Sequence, residues 1–293
     1  MPYLYLVCSI AFISVLSILG ACFNNKNVDR VGATQLYNLL ICGAACFTWG
    51  VIYIFDFSFE PKVLWFSLGF GVCYAVTMGS LIKALATGPV SLTALMQQLS
   101  LIGTTIWGFI FWDTWNREKA PLVITGLVLV VAALVLCLCV GKKEKGAKIT
   151  WRWIFYVTLM FVSNSGCTIL QKSEQNVFDG RHGTMFMFFA LALALFVCAV
   201  MYLTSDKREN KTILKASWYF PVSAGVCNAA SNLFVILMAT TSLSPNLIYP
   251  TLAVGGLTVT SIASLFLFKE KLSWGQWCGV IVGAVAVVLL SIN

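Results

Sequence analysis

The sequence predicts an all-α membrane protein, ten transmembrane helices built as a 5+5 inverted repeat, and three observations lead there. Apolar residues make up 59% of the 293 residues and charged residues 10%, with a mean hydropathy of +0.88, which leaves too little polar surface for a soluble fold. The apolar residues come in blocks of about 20, enough to span a bilayer at about 1.5 Å per residue. A pattern in the first half also recurs in the second. Lipid cannot hydrogen-bond backbone groups, so each block must pair its own N–H and C=O groups as a helix; the period-2 pattern of a membrane barrel is absent.

In chain order the spans are expected at roughly Pro2 to Phe23, Gly32 to Phe55, Pro61 to Ala86, Ser91 to Trp112, Ala120 to Val140, Arg152 to Gln171, Gly183 to Thr204, Ile213 to Thr240, Pro245 to Phe268 and Trp274 to Ile292. Polar joints separate them, among them Asn24-Asn25-Lys26-Asn27, Gly88-Pro89, Gln175 to His182 and Lys269 to Ser273. The Lys- and Gly-rich stretch after Val140 is the natural linker. The organisation expected is a first five-helix repeat over 1–141, a linker over 142–150 and a second repeat over 151–293. No joint exceeds about a dozen residues, so a soluble catalytic domain has nowhere to reside.

The first span ends in Leu19-Gly20-Ala21-Cys22, which looks like a lipoprotein cleavage box, but no Lys or Arg precedes it, so the span is expected to stay as a helix. Of the 11 cysteines nearly all fall inside apolar spans, where they act as small hydrophobes. His182 is the one histidine and has no Cys or His beside it in sequence, so neither a metal nor another cofactor is expected. Asn210-Lys211-Thr212 forms a formal glycosylation triplet in a basic loop and is read as chance.

The repeat begins with Gly71-Val72-Cys73-Tyr74-Ala75, which returns as Gly225-Val226-Cys227-Asn228-Ala229 at an offset of 154. The offset then becomes 153, pairing Ser91 with Ser244, Leu99 with Leu252, Gly103 with Gly256, Thr105 with Thr258 and Gly126 with Gly279. An odd number of helices per repeat turns the two halves opposite ways across the bilayer. That is the architecture of secondary transporters that bind near the midplane, at the interface of the repeats.

At these positions the chain resembles a known family. Lys83-Ala84-Leu85-Ala86-Thr87-Gly88-Pro89-Val90-Ser91 with Leu95-Met96-Gln97, and Leu265-Phe266-Leu267-Phe268-Lys269-Glu270-Lys271-Leu272 with Gly279, look like the EamA-type repeats of the drug/metabolite transporter superfamily. The resemblance covers essentially the whole chain. It departs at Trp112-Asp113-Thr114-Trp115-Asn116-Arg117-Glu118, where the family has a phenylalanine-glycine-glutamate-like turn. It implies ten helices, a cavity between the halves and movement of small metabolites without ATP.

Within the expected spans no Asp, Glu or His lies deep. Ionisable groups there are costly and usually kept for function, so a cationic drug would find no buried counter-ion. A neutral, zwitterionic or weakly anionic metabolite is therefore favoured over the alternative, a multidrug or cation exporter. A channel or structural membrane protein, and an intramembrane enzyme, rank below both; no nucleophile, base or metal set is visible. The uncharged polar residues form stripes at helical spacing: Asn228, Ser231 and Asn232; Thr93, Gln97, Ser100 and Thr104; Ser163, Asn164, Cys167 and Gln171. The substrate-binding residues expected are Tyr74, Thr77, Lys83, Gln97, Asn164, Asn228, Asn232 and Tyr249. Lys83 can either snorkel to the headgroups or anchor a substrate carboxylate or phosphate. Polar side chains also join helices to one another, so each stripe has a purely structural reading as well.

The partners expected are a small metabolite and membrane lipid, with no nucleic acid, in a monomer or a homodimer, and the location expected is a bacterial cytoplasmic membrane. Of the 19 Lys and Arg residues, 14 fall in or beside the joints of one side, counting Lys83, which places both termini outside the cytoplasm; the family resemblance places them inside.

Overall fold

The computed structural model describes residues 2–27, 30, 32–88, 90–111, 120–138, 149–205, 209–239, 241, 243, 245–267 and 273–291. Among these the chain forms eleven helices: α1 Pro2–Lys26, α2 Ala33–Phe55, α3 Val63–Thr87, α4 Val90–Phe111, α5 Ala120–Leu138, α6 Trp151–Phe178, α7 Gly183–Leu203, α8 Asn210–Ser217, α9 Tyr219–Ala239, α10 Pro245–Leu267 and α11 Trp274–Ser291. Six of them, α1, α2, α3, α6, α7 and α9, are long and apolar enough to cross a membrane. The departure from the family's turn at 112–118 and residues 142–148 of the expected linker 142–150 lie outside the described residues.

Two helices depart from the spans expected. The single span Ile213 to Thr240 is two helices, α8 and α9, separated at Trp218. Pro221 explains the break: it has no N–H to give the Ser217 carbonyl, and its ring crowds that carbonyl in a straight helix. The other departure is α6, which continues seven residues past Gln171. It stops where Asp179 and Gly180 take left-handed backbone conformations, φ 52° and 71°, and the Gly180 N–H bonds the Gln175 carbonyl at 3.1 Å, a Schellman-type end. With 28 residues, α6 is about 42 Å long, more than a hydrocarbon core of about 30 Å requires.

The chain divides into two compact units. The first takes Met1–Ala75 and Leu170–Thr241. In it α1 packs on α9 through Ser9, whose hydroxyl donates to the Ser231 carbonyl at 3.3 Å, and through Phe12 stacked on Phe234. The end of α1 is tied to α8: Lys26 Nζ donates to the Ala216 carbonyl at 2.6 Å and Asn27 Nδ2 to Ser217 Oγ at 3.0 Å. Close helix approach depends on two glycines. A Cβ at Gly225 in α9 would lie 2.5 Å from the Ile41 carbonyl oxygen of α2, and one at Gly71 in α3 would lie 2.9 Å from the Ala190 carbonyl oxygen of α7.

The second unit takes Val76–Ile169 and Ser242–Asn293. Its centre is a cluster of Ile102, Val123, Val130, Leu134, Leu247, Val254 and Ala286 from α4, α5, α10 and α11. On α5 and α11 the opposite faces, Ile124, Val128, Ile281 and Val288, are exposed, as apolar side chains meant for lipid should be.

Candidate functional site

The eight residues expected to bind substrate divide between the units. Tyr74, Asn228 and Asn232 belong to the first; Thr77, Lys83, Gln97, Asn164 and Tyr249 belong to the second.

In the first unit Asn228 and Asn232 stand one turn apart on α9 and are half-buried. Asn232 Nδ2 donates to the Asn228 carbonyl at 2.9 Å and to its Oδ1 at 3.0 Å, so each side chain keeps polar capacity free for a further partner. Tyr74 is also half-buried; its ring stacks on Phe70 and packs against the Ile41, Cys42, Cys198 and Ala224 cluster. Within that cluster the Cys42 and Cys198 sulfurs, from α2 and α7, are 3.6 Å apart.

In the second unit the α4 and α6 stripes meet each other. Asn164 Nδ2 donates to Ser100 Oγ at 2.5 Å, Ser165 Oγ donates to the Ser100 carbonyl at 2.7 Å, and Thr104 pairs with Thr168. A Cβ on Gly103 would lie 2.4 Å from Ser165 Oγ, so the two helices touch there. Asn164 therefore joins helices. At the start of α6 Trp153 Nε1 donates to Thr93 Oγ1 at 2.9 Å, and the exposed Lys83 holds its ammonium 5.3 Å from the Tyr156 ring centre. Tyr249 is 2% exposed beside the buried Pro250, Gln97 is half-buried, and Thr77 is fully buried with no partner for its hydroxyl among the described residues.

The extension of α6 adds a polar group that the sequence reading assigned to a joint. Lys172, Glu174 and Gln175 are all buried, and Glu174 is 0% exposed. The expected span ends at Gln171, so Glu174 lies outside it; the longer α6 buries this acid within the protein. The usable signal was the i, i+3, i+4 spacing of Gln171, Glu174 and Gln175 together with the Asp179-Gly180 stop. A buried polar atom left unpaired costs about 1–3 kcal/mol.

These polar side chains are held among apolar helices, six of them long and apolar enough to cross a membrane, which defines a multi-pass membrane protein. The family model of sugar transport proteins matches residues 18–293, and the chain belongs to that family. No curated protein matches the sequence. A crystal structure of a protein 12% identical in sequence aligns with 99% of this chain and 96% of its own, at a TM-score of 0.72, which is a likeness of fold.

Proposed function

We propose that the protein is a secondary transporter that moves a small neutral, polyhydroxylated metabolite of the sugar class across a bacterial cytoplasmic membrane by alternating access, without ATP. The observation that carries this reading is the family match over nearly the whole chain. The chemistry of the polar residues supports a neutral ligand. Asn228, Asn232, Gln97 and Tyr74 donate and accept hydrogen bonds without burying a charge, which is what ligand hydroxyls require.

The architecture proposed is a 5+5 inverted repeat of the EamA-like drug/metabolite transporter kind, with halves 1–141 and 151–293 joined by 142–150. The glycine contacts support it. Gly71 and Gly225 are repeat equivalents, and each closes on a helix of the opposite half: Gly71 of the first half on α7, Gly225 of the second on α2. Since α2 and α7 are the second helices of their halves, this exchange is what a two-fold axis in the membrane plane generates. Tyr74, Thr77, Gln97, Asn228, Asn232 and Tyr249 are proposed as the cavity wall, Asn164 as support for it, Lys83 as a surface residue resting on Tyr156, and the working form as a monomer or homodimer.

Uptake into proteoliposomes containing the purified protein tests this. Radiolabelled D-glucose, D-xylose and myo-inositol are expected to enter saturably and to be accelerated by unlabelled sugar on the opposite side. Non-saturating flux would make the protein a channel, and absence of sugar uptake with saturable uptake of an amino acid or an organic cation would overturn the substrate class.

A further inference from the structure

Gln171, Glu174 and Gln175 stand at i, i+3 and i+4 on one face of α6 and are 3%, 0% and 3% exposed. Gln175 Nε2 donates to Glu174 Oε2. The amide turned the other way would set oxygen against carboxylate oxygen, so Oε1 is the Gln175 atom left open. Three polar atoms then have no hydrogen-bond partner among the described residues: the acceptors Glu174 Oε1 and Gln175 Oε1, and the donor Gln171 Nε2. Gly183, at the start of α7, gives Gln175 its room: a Cβ there would lie 3.0 Å from Gln175 Nε2 and 3.0 Å from Ile236 Cγ2.

We infer that Gln171, Glu174 and Gln175 form a recognition point for two adjacent hydroxyl groups of a polyhydroxylated ligand. The inference rests on the sugar-transport reading above and adds residues to it. The inventory of open atoms selects the ligand chemistry. Two neighbouring hydroxyls donate to Glu174 Oε1 and Gln175 Oε1, and one of them accepts from Gln171 Nε2, so all three atoms are satisfied. A proton on Glu174 Oε1 meets two of the three, by donating to Gln175 Oε1 while Gln175 Nε2 keeps its bond to Oε2, and leaves the Gln171 donor open. A monovalent cation meets the two acceptors but opposes the Gln171 N–H. A ligand carboxylate meets the donor and is repelled by Glu174. Because the three atoms are buried in this conformation, they become available to a ligand when the start of α7, which lies against Gln175 at Gly183, moves away. A ligand that pairs them only in that opened state shifts the chain toward it.

The test is uptake of D-glucose, D-xylose and myo-inositol by proteoliposomes carrying the wild type, Gln171→Met, Gln175→Met or Glu174→Gln. Each variant is expected to raise the half-saturation concentration about tenfold with little change in maximal rate. A deoxy analogue lacking the contacted hydroxyl should lose affinity in the wild type and lose no more in the variant. Gln171→Met removes an unpaired buried donor and should unfold at or above the wild-type temperature, whereas Gln175→Met also takes a hydrogen bond from the buried Glu174 and should unfold lower; should Gln175→Met misfold, Gln171→Met carries the measurement. Half-saturation within about twofold of wild type in all three variants overturns the inference and leaves sugar transport standing. So does an unchanged half-saturation accompanied by a lost response to a pH gradient, which would assign Glu174 a proton. A wild type that takes up no sugar overturns both readings.

Discussion

Gly225→Ala tests how α2 and α9 are held together, and its effect can be worked out from three distances. The new Cβ would sit 2.5 Å from the Ile41 carbonyl oxygen, 2.6 Å from Ala44 Cβ and 3.1 Å from the Ala45 nitrogen. None of these atoms ends a flexible side chain, so relief requires the two helices to separate by roughly 0.9 Å to reach ordinary contact distance, with loss of dispersion along the seam. Overpacking of this kind costs about 1–3 kcal/mol, and the rigid surroundings put it at the upper end. Alanine returns about 0.8–1 kcal/mol of helix propensity, which leaves a net loss of about 2 kcal/mol. Gly79 on α3 is the internal control: a Cβ there meets nothing within 4 Å, so Gly79→Ala keeps the propensity gain and should stabilise. Thermal unfolding in detergent, followed by tryptophan fluorescence, reads both variants. A Gly225→Ala protein as stable as the wild type, or a Gly79→Ala protein less stable, would refute the packing argument.

Three other perturbations have defined outcomes. In a variant retaining only Cys42 and Cys198, whose sulfurs are 3.6 Å apart, copper–phenanthroline should form a disulfide that protects both thiols from maleimide after denaturation; free thiols after that treatment would mean α2 and α7 do not meet there. Asn228→Ala and Gln97→Ala should each raise the half-saturation for sugar about 2- to 12-fold, the worth of one hydrogen bond, with folding intact; normal uptake by both would remove them from the cavity wall. Lys83→Met should leave uptake of a neutral sugar within about twofold, since the ammonium is exposed and rests on Tyr156; a larger loss in a folded protein would give Lys83 a ligand contact.

Hydropathy located the helices, six of them long and apolar enough to cross a membrane, because a block of about 20 apolar residues has few alternatives in a bilayer. It located their ends less well, for two different reasons. Pro221 broke a span internally, and a proline near the start of a helix is compatible with both a continuous and an interrupted segment until the backbone is seen. At α6 the charged Lys172 and Glu174 imitated a joint, although the stop signal, Asp179-Gly180, stood farther on. The candidate site was legible to the same degree. Spacing put Asn228 with Asn232 and Ser100 with Thr104 on shared faces; the structure pairs the first two with each other and the second two with α6. Spacing within one helix cannot say which face of a second helix it will meet, and so it could not show that Asn164 and Ser165 would be taken up by Ser100.

That difference between paired and open groups separates two uses of polarity along α6. Over its first part, Asn164, Ser165 and Thr168 all find partners on α4, and a hydrogen bond between membrane helices is worth about 0.6–2 kcal/mol. Such a seam is accounted for by packing alone: its donors and acceptors match, and an apolar replacement on both sides would be tolerated. Over its last part, Gln171, Glu174 and Gln175 are more deeply buried, yet three of their atoms have no hydrogen-bond partner among the described residues, at about 1–3 kcal/mol each. A structural role gives no reason to retain them, because leucine or methionine would fill the same volume without the penalty. A conformational cycle does give one. Atoms unsatisfied in one state and satisfied in another favour the second, and a ligand that completes the pairing supplies the differential affinity by which binding can drive the exchange. Polarity that is fully paired thus marks where α6 is held to its neighbour, and polarity that is buried but open marks where the chain has something left to bind.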